Sequence, residues 1–219
     1  MTMGLLYWWQ LFYTQLLETG WLQWMAVILG VAEVLFARVN NIWLYPTGIV
    51  GTLLSIYILL QAGLFADSLL NGYYVAMSIY GWWYWVKKND APPVKITRCT
   101  QQDWLVVIFI SIGGFVLLAA ALKYFTPSTV PYWDAWVSAT AWAGMWLLAK
   151  RKTENWLLLN ISNAFAIPLL FYKQLPMFAV LTVFLFIIAV QGYFEWVNIA
   201  QQQKPQQPLL AGKAKEVIQ

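Results

Sequence analysis

Apolar stretches of helical length follow one another along this chain, separated by short polar breaks, and their order repeats. The stretches cover residues 21–38, 45–61, 64–86, 104–122, 133–150, 155–172 and 176–200. Nineteen residues from Trp104 to Leu122, at ~1.5 Å each, reach ~28 Å, enough to cross a hydrocarbon core. The pattern therefore predicts seven transmembrane helices. Landmarks in the first three recur in the last three. Trp21, Trp24, Ala37 and Arg38 match Trp133, Trp136, Ala149 and Lys150 at an offset of 112. Asn41-Ile42-Trp43 matches Glu154-Asn155-Trp156 at 113, and Gly81 with Trp85 matches Gly192 with Trp196 at 111. A duplicated three-helix unit is a transporter architecture, with its substrate site expected between the halves.

Composition agrees with a polytopic membrane protein. Of 219 residues, 61% are hydrophobic and only 10% are charged, against about 25% charged in soluble domains. The net charge of +4 reports topology. Seven spans leave only Lys123 and Lys173 on the amino-terminal side. The other side receives Arg38, Lys87, Lys88, Lys95, Arg98, Lys150, Arg151, Lys152, Lys204, Lys213 and Lys215. That asymmetry puts the amino terminus outside and the carboxy terminus in the cytoplasm. The basic residues scatter over separate loops, so no nucleic-acid partner is expected.

Three helices reverse the direction of the chain and a fourth restores it, so both triplets enter the membrane from the same side. The expected fold is an all-α membrane protein with two parallel triple-helix bundles joined by a linker helix (3+1+3). Its parts are an interfacial helix (1–20), the first bundle (21–86), a cytoplasmic loop (87–103), the linker helix (104–123), the second bundle (133–200) and a disordered tail (201–219). Gly113, Gly114 and Ala119 to Ala121 make the linker a packing element, with no substrate expected there. Pro168, inside the sixth span, predicts a kink, whereas Pro46 falls in a first turn.

Candidate chemistry is sparse. There is no histidine and one cysteine, Cys99, so no metal centre, cofactor or disulfide framework is expected. Asp67, Asp103, Asp134 and Glu154 sit at helix starts, where a carboxylate caps free N–H groups. Glu33 is the exception, inside the first span. Polar neutral residues carry more. Asn71, Tyr74 and Ser78 share a face of the third span, continued by Trp82. Asn160 and Asn163 share a face of the sixth, and Gln191 lies in the seventh. Amides in hydrocarbon must be paired, so these should point inward, either as interhelical ties or as a binding surface. Amides beside aromatic faces suit a small polar molecule with a delocalised ring charge.

Residues 21–196 resemble the bacterial Pnu-type vitamin transporters, whose best-known members carry nicotinamide riboside. The resemblance rests on Tyr80-Gly81-Trp82-Trp83-Tyr84-Trp85, Trp133-Asp134, Glu154-Asn155-Trp156 and Leu64-Phe65-Ala66-Asp67. It implies a SWEET-like fold, a central site, facilitated diffusion, a homotrimer, and a cytoplasmic kinase that traps the imported vitamin. Asn71 stands where nicotinamide riboside carriers often have Gln, and Leu159 where they have Trp, while Asn163 keeps the familiar amide.

The reading is therefore a bacterial inner-membrane importer of a cationic-ring vitamin, nicotinamide riboside ahead of thiamine. Asn71, Tyr74, Ser78, Trp82, Asn160, Asn163 and Gln191 are its candidate substrate contacts. The rivals from other classes are a membrane-embedded enzyme, for which no acid–base constellation stands out, and an assembly subunit.

Overall fold

A computed structural model describes residues 2–86 and 95–203. The expectations for loop residues 87–94 and for the tail from 204 onward lie outside the described residues. Among them run eight helices: α1 (Thr2–Glu18), α2 (Trp21–Arg38), α3 (Leu44–Gln61), α4 (Phe65–Val86), α5 (Gln101–Phe125), α6 (Pro131–Ala149), α7 (Asn155–Tyr172) and α8 (Pro176–Gln202). From α2 onward their limits fall within about three residues of the apolar stretches read from the sequence. Helices α2, α3, α5, α7 and α8 are long and apolar enough to cross a membrane. Helices α4 and α6 are long enough but richer in polar and aromatic side chains. Pro46 sits in the first turn of α3, where its missing N–H costs nothing, and Pro168 lies inside α7.

The internal repeat is more regular than the landmarks in the sequence suggest. Asn40 and Arg151 both adopt φ of 55°, and Gly63 (φ 72°) matches Gln174 (φ 58°). Asn40 and Arg151 are 111 residues apart, and the same spacing carries α3 onto α7 and the start of α4 onto that of α8. The drift to 112 and 113 disappears. The partner of Trp156 is Tyr45 and not Trp43. Trp43 precedes its helix and is 60% exposed, whereas Tyr45 and Trp156 are both buried. Tyr45 packs over Gly81 and meets Trp85 edge-on, with ring centroids 5.1 Å apart. Trp156 packs over Gly192 and meets Trp196 edge-on at 5.8 Å. Tryptophan abundance explains the misreading: sequence alone cannot tell a lid-like Trp from a packed one.

Each triplet packs in chain order, α3 between α2 and α4, and α7 between α6 and α8. The halves join through two symmetric contacts, α2 on α8 and α4 on α6. Helix α5 lies along α6, where Gly114 approaches Ala139 and Trp142 closely enough that an added methyl would just fit. Its other face leaves Leu105, Phe109, Ile112 and Leu117 exposed. Helix α1 is pinned to the start of α8 by Gln15, which donates to the Gln174 carbonyl (2.7 Å) and accepts from the Met177 N–H (3.3 Å).

Candidate substrate site

A cavity of about 760 Å³ opens between α2, α3, α4 and α8. It runs from Gln23, Ala62 and Leu64, at the end where α2 begins, down to Glu33. Apolar side chains form most of its wall: Val27, Val31, Ile58 and Leu59 from the first bundle, Phe178, Leu181 and Leu185 from α8. Polar groups are few and convergent, namely Gln23, Glu33, Ser55, Asn71 and Tyr74. An apolar chamber with a handful of placed polar groups is the usual form of a small-molecule site.

Local structure explains the shape. Asn71 donates to the Asp67 carbonyl one turn back (2.9 Å), which leaves its amide oxygen for the chamber. Ser55 likewise donates to the Gly51 carbonyl at 3.0 Å. Glu33 reaches across to Gly48 on α3, where a Cβ would sit 2.4 Å from its Oε1. Glycine at 48 leaves room for the carboxylate in this position; a methyl there would make it shift.

The structure brings Asn71 and Tyr74 together on this wall and places the other expected contacts elsewhere. Ser78, two turns below Asn71, is buried. Trp82 is 40% exposed. Asn160, with its amide set by its neighbours, donates to the Phe186 carbonyl (3.1 Å) and accepts from the Val190 N–H (3.3 Å), tying α7 to α8. Asn163 is partly buried on α7 and is not among the residues lining the chamber. Gln191 accepts from Arg38 at 2.6 Å. Two chamber residues, Gln23 and Ser55, were not singled out from the sequence. Their only signal is polarity inside an apolar stretch, a signal shared by many residues that merely cap or bridge.

Below the chamber, where α2, α4, α6 and α8 all end, a polar layer closes the structure. Arg38 pairs with Glu195 at 2.6 Å, and the Trp196 indole donates to the Ala37 carbonyl at 2.9 Å. Arg151, in the α6–α7 turn, lies flat over the Trp85 ring, 3.8 Å from its centroid, and donates to Asn40. Burial pushes its guanidinium down to about 10, while the nearby Tyr45 and Tyr84 hydroxyls oppose that shift, so it stays charged at neutral pH. Lys150 sits over Tyr84 and Tyr80. At the opposite end Lys173 pairs with Asp134, which also accepts from Ser128 (2.6 Å), beside a smaller cavity of about 450 Å³ that includes Asp67. The remaining helix-start acids are capping groups or loop ties. Asp103 and Thr100 cap each other reciprocally, and Glu154 accepts from the Cys99 N–H at 2.9 Å.

These features agree with comparisons to known proteins. The nicotinamide riboside transporters PnuC of Escherichia coli (strain K12) and of Shigella flexneri are each 22% identical over 212 residues, covering 85% of this chain and 89% of theirs. The crystal structure of the vitamin B3 transporter PnuC superposes with a TM-score of 0.67 at 21% identity, covering 90% of both chains, which establishes a shared fold. The profile for nicotinamide mononucleotide transporters matches residues 20–198, from the start of the first triplet to the end of the second. The chain belongs to the nicotinamide mononucleotide transporter family, and is a multi-pass membrane transporter and not an enzyme.

Proposed function

We propose that this protein imports nicotinamide riboside across a bacterial inner membrane by facilitated diffusion. The observation that carries the reading is the chamber itself. Its apolar wall suits a pyridine ring, and Asn71, Tyr74, Gln23 and Ser55 offer the amide and hydroxyl partners a ribose and a carboxamide require. Relatives named for nicotinamide riboside support the same substrate.

In this reading α2 to α8 all cross the bilayer, as two like-oriented triplets with α5 as the linker, and α1 rests on the outer face. The polar, aromatic character of α4 and α6 fits that arrangement, because these helices face their neighbours and the chamber more than lipid. The asymmetry of the basic residues supports an amino terminus outside and a carboxy terminus in the cytoplasm. The chamber then faces outward, with the Arg38–Glu195 and Arg151–Asn40 layer shutting its cytoplasmic end. Asn160, Asn163, Ser78 and Gln191 would meet the substrate only when the bundles rock and that layer opens. Facilitated diffusion does not concentrate its substrate, so a homotrimer of such carriers would rely on a cytoplasmic kinase to hold the vitamin inside.

Uptake into proteoliposomes tests this. Labelled nicotinamide riboside should enter saturably, exchange with unlabelled substrate inside, and stop at equal concentrations with or without a proton gradient. Accumulation driven by a gradient would refute facilitated diffusion. Thiamine entering where nicotinamide riboside does not would reassign the substrate within the same fold.

A further inference from the structure

We propose that Glu33 is the counter-charge that makes this transporter select cationic rings over neutral ones, an inference that rests on the substrate reading above. Three observations converge. Glu33 lies inside α2, thirteenth of its eighteen residues, and lines the chamber beside Asn71 and Tyr74. Among the described residues it has no salt bridge and no hydrogen bond, and the cations of the polar layer below the chamber are engaged elsewhere. Arg38 holds Glu195 and Gln191, while Arg151 holds Asn40 and the Trp85 ring. A carboxylate in an apolar span without a protein partner is costly unless it is protonated or a cation in the site balances it.

The repeat supplies the third observation. At the 111-residue spacing, Glu33 and Gly48 correspond to Gly144 and Leu159. Both pairs are tight small-against-large contacts: a Cβ on Gly48 would strike the Glu33 carboxylate, and one on Gly144 would strike Leu159 at 2.9 Å. The packing problem is thus solved in the second half with two apolar residues. The first half solves it with an acidic side chain, and that side chain lines the chamber. Packing does not require a carboxylate at position 33, so its role lies with the occupant. A pyridinium or thiazolium ring seated against Tyr74 would bring its positive charge to Glu33, while its hydroxyl or amide groups reach Asn71 and Ser55.

Binding to the purified, full-length protein tests the assignment, with two ring pairs that differ in charge more than in shape. One pair is nicotinamide riboside and its neutral 1,4-dihydro form; the other is thiamine and 3-deazathiamine, in which a neutral thiophene replaces the thiazolium ring. The wild type should bind the cation of at least one pair about tenfold or more tightly than its neutral partner. Glu33→Gln should remove that preference by weakening the cation alone, and Glu33→Asp should restore part of it. Equal wild-type affinity within every pair it binds, or a Glu33→Gln loss shared equally by cation and neutral form, overturns the proposal. Binding of thiamine but not of nicotinamide riboside, with a preference for the thiamine cation abolished in Glu33→Gln, upholds the role of Glu33 while rejecting nicotinamide riboside as substrate. Binding of neither cation overturns both.

Discussion

Asn40 and Arg151 occupy the same position in the two repeats, share a φ of 55°, and hydrogen-bond to each other. Equivalent residues can touch only close to the axis that relates the halves, so this contact marks where the bundles meet. Both adopt the left-handed conformation because each follows the C-cap of a helix, whose end is closed by the Asn41 N–H on the Phe36 carbonyl and the Lys152 N–H on the Leu147 carbonyl. Asparagine tolerates that conformation better than arginine does. The contacts of the Arg151 guanidinium with Asn40 and the Trp85 ring hold it in place despite that strain.

Asn40 can be dissected by substitution. Asn40→Gly keeps the backbone conformation and loses the bond to a charged donor, which is worth about 1.5–3 kcal/mol. Asn40→Ala also adds left-handed strain of roughly 1–2 kcal/mol. Thermal unfolding in detergent should rank wild type above Asn40→Gly above Asn40→Ala. Identical melting of the two variants would show that the turn carries no strain.

The paired glycines make a sharper prediction. A methyl at Gly81 would sit 2.5 Å from Tyr45, and one at Gly192 would sit 2.7 Å from Trp156, whereas Gly113 faces open space. Rings locked in edge-on pairs cannot move aside cheaply. Gly81→Ala and Gly192→Ala should each cost about 1–3 kcal/mol, and Gly113→Ala should cost nothing and gain up to about 1 kcal/mol in helix propensity. Yield of folded protein by size-exclusion chromatography reads all three.

Asn71 and Asn160 should separate binding from packing. Asn71→Ala removes an amide from the chamber and should weaken substrate affinity about tenfold while leaving melting nearly unchanged. Asn160→Ala removes a tie to the α8 backbone and should cost about 0.6 kcal/mol of stability, as such interhelical bonds do on average. If Asn160→Ala instead abolishes substrate affinity at unchanged stability, the chamber described above is not the whole site.

Cys99, in the turn before α5, gives a chemical check. Burial, and then the Glu154 carboxylate beside it, push its thiol up to about 12. At pH 8 its thiolate fraction is then about one part in ten thousand, against roughly a quarter for a free cysteine. Iodoacetamide should label it slowly in folded protein and readily after denaturation, followed by mass spectrometry. Glu154→Gln removes the raising charge and should speed labelling; an unchanged rate would leave burial as the sole cause.

Much of the fold was legible in the chain because hydropathy and length are local properties. The stretch 155–172 is α7 to the residue, and α2 coincides with 21–38, since apolar runs bounded by polar turns leave a helix few other places to stop. The repeat was legible in kind but not in register, because Trp43 and Tyr45 look alike as letters and differ only in what they pack against. The chamber was half legible. Asn71 and Tyr74 share a face by helical periodicity, but whether Asn160 or Gln191 reaches the same space depends on how α7 and α8 sit against other helices.

Sequence alone determined that this is a multi-pass membrane protein whose landmarks repeat from one three-helix stretch to another, and it supports the proposal that both stretches point the same way. Each follows from quantities summed along the chain: apolar area, helix length and the distribution of charge. Tertiary structure alone decided which polar groups face a shared space and which are spent on neighbours. Asn160 goes to the α8 backbone, Gln191 to Arg38, and Glu33 is left facing the chamber. The reason is physical: a buried amide or carboxylate takes the nearest partner in three dimensions, and nearness between helices far apart in sequence is not written in either one.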